Sequence, residues 1–530
     1  MTAPASTISG KATVAGTFDY IEHHKVPAHQ IPEVGWYLSR YGLGTYRMSI
    51  QNEEHLAVLK KALTSGINVV DSAINYMDEQ SERLIGKALT EIINETDIQR
   101  DQLILISKAG YIQGTLLQKM KELEAANKGY EHLLKISDQI WYSLDPQFMK
   151  DMVDLSRKRM GVDTIDIYLV HNPEYALQYS IQQKKDSFDP ALDDYLFYQQ
   201  LKKAFIALEE KVKEGSIQFY GVSSNNLPTP PEMQGHVNIL KVFAVALEAA
   251  EEVWGDGTNH HFRFVQFPFN LLESQAMLLK LDEFPEGPQT IFEFCRAKGI
   301  YMLANRPLNA IWNNKLYRFA HQKMKVQSKD WYHDIQKSIS LLTEFEQYIT
   351  KFMEREKIDN LPVGEGNLKQ IIETSIYMRK YISEIEDLDQ YYQFFYGFIV
   401  PRLDLARNIF TKALRQDAYS EGMDLFEKYI NSVQFIVDLS KNYVVDKMNQ
   451  RVKGLNEIIG AGLPSGMSSL SLAQKALVSL AHASPGLTIL NGARQESYLK
   501  ELLYVNKITN KKLSAKKIAE ISQNLLKHIS

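Results

Sequence analysis

The sequence predicts an α/β protein built on a closed (β/α)8 TIM barrel. Three observations carry this expectation. Eight short runs rich in β-branched and aromatic residues alternate with amphipathic helical stretches. The runs are almost continuously apolar, as strands of a parallel sheet covered on both faces must be. No glycine-rich dinucleotide turn follows the first strand, which disfavours the runner-up, an open doubly wound sheet.

The elements follow in order. RYGLGTYRM (40–48) reads as the first strand, and the helix over 53–66 ends at a glycine. INVVDSA (67–73) is the second strand, and SERLIGKALTEII (81–93) a helix with Ser81 as its expected N-cap. QLILISKAG (102–110) is the third strand; the next helix opens on Asp-Pro at 145–146 and closes at Gly161. TIDIYLVHN (164–172) and a helix over 193–215 follow, then IQFYGVSS (217–224) with a helix over 231–254. FRFVQFPFN (262–270), a helix over 290–299 and IYMLANRPL (300–308) complete seven strands. The pattern from 311 to 465 is helical and rich in aromatics, as in YYQFFYGFIV (391–400). Alternation resumes with a helix at 471–484 and an eighth strand, LTILNGA (487–493).

The expected organisation is an N-terminal extension (1–37), a barrel (38–310 and 466–530) and an all-helical insertion subdomain (311–465) between strand 7 and helix 7. The first residues, MTAPASTISGKATVAG, are small and polar and read as a frayed start. A block as long as 311–465 is too large for an unstructured loop. It is expected to fold as a small helical subdomain over or beside the barrel mouth, or else as a stabilising or oligomerising appendage.

Composition narrows the function classes. The chain has 530 residues, 45% apolar and 23% charged, with a formal net charge of −4, which argues against a nucleic acid or an anionic membrane as partner. One cysteine, Cys295, excludes an internal disulfide and multi-cysteine metal sites. No stretch is apolar for the length of a membrane-spanning helix and no signal-peptide core is present, so the expectation is a cytoplasmic protein.

Polar residues then fall at consecutive strand ends: Asp71 with Tyr76 shortly after it, Lys108, and His171. Chemistry on such barrels sits at the carboxyl ends of the strands. Each residue alone has an ordinary structural explanation; four in register point to a proton-transfer site.

These segments resemble the aldo-keto reductase family. GLGTY (42–46), GINVVDSAINYMDEQSERLIGKAL (66–89), DTIDIYLVHNPE (163–174), ALEEKVKEGSIQFYGVSS (207–224), VQFPFNLLE (265–273), ANRPL (304–308) and ILNGARQESYLKELL (489–503) occur in family order. The resemblance implies a catalytic set of Asp71, Tyr76, Lys108 and His171. Tyr76 would be the general acid, its phenol made more acidic by Lys108, with Asp71 aiming the lysine and His171 orienting the substrate carbonyl. It implies cofactor contacts from Thr45, Tyr46, Asp71, Ser223, Ser224, Gln266, Asn305, Arg306, Pro307 and Leu308, and from the phosphate turn Gly492, Ala493, Arg494 and Tyr498. Ser224 departs from the family's usual asparagine, with Asn225 as its substitute; Asn305 stands where an aromatic often stacks, and Met77 where a glycine follows the tyrosine.

The implied cofactor is NADPH, with NADH as second candidate, because Arg494 can pair with a 2′-phosphate. The implied reaction is reversible hydride transfer to an aldehyde, ketone or sugar carbonyl. The expected partners are a small carbonyl or alcohol and, through the insertion, a second copy or another protein. The alternatives are a catalytically weak nicotinamide-binding module whose insertion engages a partner, and a Schiff-base aldolase using Lys108.

Overall fold

The computed structural model describes residues 7–184, 187–282, 284–313, 315–320, 326, 329–363, 366–508 and 513–529. Eight parallel strands close into a barrel: β1 (Tyr41–Gly44), β2 (Val69–Asp71), β3 (Ile104–Ala109), β4 (Ile165–His171), β5 (Ile217–Ser223), β6 (Phe262–Pro268), β7 (Tyr301–Asn305) and β8 (Leu487–Asn491). Each pairs with its sequence neighbour, and β8 closes on β1 through Ile489 opposite Tyr41 and Asn491 opposite Leu43. Every residue of β3, β4 and β8 is buried, which is why these strands read as unbroken apolar runs.

The crossover helices carry clear end signals, although the first ends at Leu63 with Thr64 as its C-cap rather than at Gly66. In α1 (Glu53–Leu63) the Asn52 side chain accepts the Glu54 N–H at 2.9 Å. In α3 (Pro146–Met160) Asp145 accepts the Phe148 N–H at 3.0 Å, and Gly161 ends the helix at φ 64°, a left-handed conformation suited to glycine. Further helices of the barrel unit are α4 (Pro190–Lys213), α5 (Ile239–Trp254), α6 (Ile291–Ala297), α7 (Leu472–Ala481) and α8 (Glu496–Val505). One expectation fails at α2 (Gln80–Glu95): Ser81 lies inside the helix, and its hydroxyl bonds Thr45 at 2.6 Å and Ser72 at 2.8 Å rather than capping.

The amino end of the barrel is not frayed from Ile8 onward. A helix (Val14–His24) and an antiparallel hairpin (Ala28–Gln30 with Tyr37–Ser39) precede β1, and Trp36 and Leu38 join the buried cluster formed by Val69, Ile106, Ile167 and Leu303. Gly16 packs so closely on Asp101 that a Cβ there would lie 2.5 Å from the Asp101 carbonyl oxygen. Buried Asp166 accepts the Ala12 N–H at 2.8 Å and pairs with Arg100 at 2.8 Å, tying the start of the chain to β4. Residues 1–6 of the expected frayed segment lie outside the described residues.

The chain divides into two compact units, Met1–Ala320 with Ile458–Ser530, and His321–Glu457. Residues beyond β7 that read as helical instead form a hairpin, Asn309–Trp312 with Lys315–Arg318, within the barrel unit. Among the described residues, the second unit is mostly helix with one short ladder, Pro362–Val363 with Gly366–Asn367. It has its own core, in which Tyr391, Phe395 and Ile399 from the aromatic run are buried beside Phe410, Phe426 and Tyr429. The run includes a single π-helical turn, Phe395–Ile399. In the same unit the buried Glu346 carboxylate accepts from Thr374 Oγ1 at 3.0 Å and from the Ser375 N–H at 2.9 Å. Among the described residues no helix is long and apolar enough to cross a membrane.

Candidate active site

The carboxyl rim of the barrel gathers the four expected residues. Asp71 is the last residue of β2, Lys108 lies near the end of β3, and His171 ends β4 opposite Ser223, the last residue of β5. Tyr76 stands in the turn between β2 and α2. All four are buried, with Lys108 fully enclosed.

The Lys108 ammonium has three N–H donors and uses them in a tripod. Its Nζ lies 2.6 Å from Asp71 Oδ1, donates to the Ser72 carbonyl at 2.7 Å, and donates to the Tyr76 hydroxyl oxygen at 3.2 Å. Because the phenol oxygen accepts from Lys108, the phenol hydrogen remains available to another acceptor. His171 packs edge-on to Tyr76, with ring centroids 5.9 Å apart, and to Tyr111 at 4.9 Å.

The electrostatics differ from the sequence expectation in one respect. Lys108 was expected to lower the Tyr76 pKa, yet the phenol lies well above its ordinary value. Burial is the main cause, followed by the Asp71 carboxylate and Tyr46. Asp71 already neutralises the ammonium, so the phenol senses a pair rather than a bare cation. Burial likewise lowers the Lys108 pKa, against the pull of Asp71. His171 is held well below its ordinary value by burial and then by Lys108, so it stands neutral.

A second set joins the first through Gln266 on β6. Its amide donates to Asp71 Oδ1 at 2.9 Å and accepts from Ser223 Oγ at 3.1 Å and Asn305 Nδ2 at 3.2 Å. Asn305 Oδ1 and His171 Nδ1 are buried with no hydrogen-bond partner. Buried polar atoms of this kind are normally satisfied, and here they sit beside groups able to bind an amide and a carbonyl.

Other expected cofactor residues have different engagements. Thr45 is buried, and its hydroxyl serves the Asp71 carbonyl at 2.8 Å. Tyr46 is exposed and packs edge-on to Tyr76 at 5.1 Å. Ser224 accepts the Asn226 N–H at 3.1 Å and also bonds Glu174 in the loop after β4. Arg306 pairs with Glu273 at 2.9 Å, and Pro307 and Leu308 lead into the hairpin after β7. Gly492, Ala493 and Arg494 precede α8, with Arg494 exposed, and Tyr498 lies in that helix. The Glu496 N–H at the start of α8 already donates to the Glu54 carboxylate at 3.3 Å.

Glu174, the last residue of the DTIDIYLVHNPE segment, is a further candidate that no sequence signal marks. This residue is buried, and its Oε1 accepts the Asn225 N–H at 2.9 Å, tying the loop after β4 to the loop after β5. Burial raises its pKa to about 7, against hydrogen bonds from Ser224 and Asn225 and the charge of Arg306. A folded-state pKa above the ordinary 4.5 means the folded chain holds this proton more tightly. The stabilisation is therefore complete below the unfolded pKa and is lost as pH rises through about 7. Glu174→Gln should flatten that dependence; the wild-type-minus-variant difference in urea-unfolding free energy should change by roughly 3 kcal/mol across the window. An unchanged difference would contradict the buried, proton-holding role.

The turn carrying Tyr76 is strained. Met77, Asp78 and Glu79 have φ of 50°, 51° and 72°, three successive non-glycine residues in the left-handed region. Each costs about 1–2 kcal/mol. Asp78 holds one side, accepting the Thr115 N–H at 2.9 Å and hydroxyl at 2.7 Å. Met77 is exposed, so Met77→Gly forfeits little packing and should raise stability by up to about 1 kcal/mol in urea unfolding. A loss of stability would show that the methionine side chain outweighs the relieved backbone.

The long loops on this rim have structure of their own. Tyr111–Ile112, Leu133–Ser137 and Ile140–Ser143 form a three-stranded sheet, and Glu174–Lys184 a helix. A cavity of about 320 Å³ lies among them, lined by Leu134, Leu144, Leu177, Phe197 and others, none of them from the four-residue set.

The "Aldo/keto reductase family" profile matches residues 40–356. An NADH-specific methylglyoxal reductase of Escherichia coli is 27% identical over 145 residues, 25% of this chain and 38% of that enzyme. A D-threo-aldose 1-dehydrogenase of a Pseudomonas species is 26% identical over 196 residues, 37% of this chain and 50% of that enzyme. The chain thus spans half or less of the length of these two relatives. Among solved structures, an aldo/keto reductase of Klebsiella pneumoniae in complex with NADP and acetate is 13% identical, covering 94% of each chain at a TM-score of 0.40. With a match spanning more than half of its residues, this chain belongs to the aldo/keto reductase family.

Proposed function

We propose that the protein interconverts a small carbonyl compound and its alcohol with a nicotinamide cofactor, Tyr76 acting as general acid. One observation carries the reading: on the carboxyl rim, Lys108 Nζ stands 2.6 Å from Asp71 and 3.2 Å from the Tyr76 hydroxyl. The residues present fit the cofactor. Gln266, Ser223 and Asn305 form an amide-recognising set, and the partnerless Asn305 Oδ1 suits a carboxamide N–H. When bound, the reduced nicotinamide supplies the hydride.

The chain's own residues supply the proton. The raised pKa keeps Tyr76 protonated and poised to donate toward a substrate oxygen. Lys108 donates to the same phenol oxygen, so it stabilises the phenolate as the proton leaves. Asp71 keeps the ammonium charged and aimed, and neutral His171 orients the carbonyl. Exposed Arg494 supports NADPH, while Glu54 and Glu496 close to the start of α8 reduce its advantage over NADH.

The test is fluorescence titration with NADPH and NADH side by side, followed by cofactor consumption with a panel of aldehydes, ketones and sugars. Saturable binding with turnover supports the reading; absence of cofactor binding overturns it. The elevated Tyr76 pKa favours a second reading, a nicotinamide-binding module with weak catalysis. Tight binding without turnover across the panel would select it.

A further inference from the structure

Tyr76 and Lys108 come from different elements, so their separation depends on what ties the turn after β2 to β3. Backbone bonds make the first ties, from the Ile74 N–H to the Lys108 carbonyl at 3.1 Å and from the Ser72 N–H to the Ile106 carbonyl at 2.9 Å, and a buried cation adds another farther along the turn. Arg159, near the end of α3, is 5% exposed. One arm of its guanidinium donates to Glu79, the last residue of the left-handed run after Tyr76. The other donates to Glu82 at 3.0 Å. Glu82 is fully buried and accepts the Ser107 hydroxyl at 2.6 Å, and Ser107 directly precedes Lys108 on β3. Arg83 reinforces Glu79 at 3.3 Å.

We propose that Arg159 is a positioning residue, which grips Glu79 and Glu82 and so fixes the Tyr76 phenol at its working distance from Lys108. The proposal rests on Tyr76 and Lys108 being the proton-transfer pair. A strained backbone persists only where its surroundings over-determine it, and the Glu79 clamp closes the strained segment directly behind the phenol. Arginine suits the task because its planar fork can hold two carboxylates in a fixed relation, which a lysine's point charge cannot.

The test compares wild type, Glu79→Gln and Arg159→Lys. Glu79→Gln keeps the buried Arg159–Glu82 pair, and Arg159→Lys keeps a buried cation, so both variants are designed to retain the fold. The first readout is independent of turnover: the 13Cζ resonance of Tyr76 in tyrosine-labelled protein, assigned by its disappearance in Tyr76→Phe. It should move in both variants, because the Lys108 hydrogen bond to the phenol changes. The second is the kinetic split. kcat should fall roughly tenfold to a hundredfold, while KM and the cofactor Kd stay within about twofold.

A Tyr76 resonance superimposed on wild type in both folded variants overturns the proposal, leaving Arg159 a purely structural ion-pair partner. If wild type itself shows no turnover, the functional reading fails, and the resonance still decides whether Arg159 positions the phenol.

Discussion

Tyr76→Phe is expected to lower kcat by about 10²–10⁴-fold, the range supplied by a positioned general acid. The ring would remain, and with it the edge contacts to Tyr46 and His171. Cofactor affinity should change little, because Gln266, Ser223 and Asn305 do not bond the phenol. Removing the hydroxyl leaves the third Lys108 donor without its acceptor, a cost of about 1–3 kcal/mol for a buried polar group. The variant should therefore fold, bind nicotinamide and turn over slowly. Steady-state kinetics and cofactor titration on the same preparation check both halves. Turnover equal to wild type would remove Tyr76 from the chemistry and leave the rim a binding site.

The second large effect is expected at Lys108. Lys108→Met removes the cation and leaves Asp71 buried without its counter-charge. Breaking a buried pair in this way costs about 3–5 kcal/mol, a large share of a domain's stability. Activity should fall with it, since the phenolate forming at Tyr76 loses its donor. The double variant Lys108→Met with Asp71→Asn separates the two consequences. It removes the stranded charge, so much of the stability should return in urea unfolding, while kcat should stay low. Recovery of activity in the double variant would mean that the ammonium serves only to neutralise Asp71.

How much of this was legible in the sequence depends on how local the cause is. The barrel strands were readable because burial on both faces leaves its mark on every residue, as in β3 and β4. The positions of Asp71, Lys108 and His171 followed, because a strand's end can be read where its apolar run stops. The start of the chain misled, because Ala12 looks like a frayed residue until its N–H is seen bonded to Asp166, distant in sequence. The hairpin at Asn309–Arg318 lacked a turn signal strong enough to stand out beside a long helical pattern. Glu174 was invisible as a functional candidate because its importance lies in burial and in one contact to the next loop. The sign of the Tyr76 shift could not be read at all. It is a contest between desolvation and a neighbouring cation, and only the enclosed geometry shows that burial prevails.

The interruption between β7 and β8 has a consequence for how the molecule is made. About 180 residues separate Asn305 from Leu487. At 5–20 residues per second, synthesis needs roughly ten to forty seconds to cover that distance. Throughout that interval β1 and β7 both present unpaired backbone, a state that invites mispairing with other chains. The ring can close only when the last strand emerges, so nascent chains stalled between these points should be the form most dependent on a chaperone.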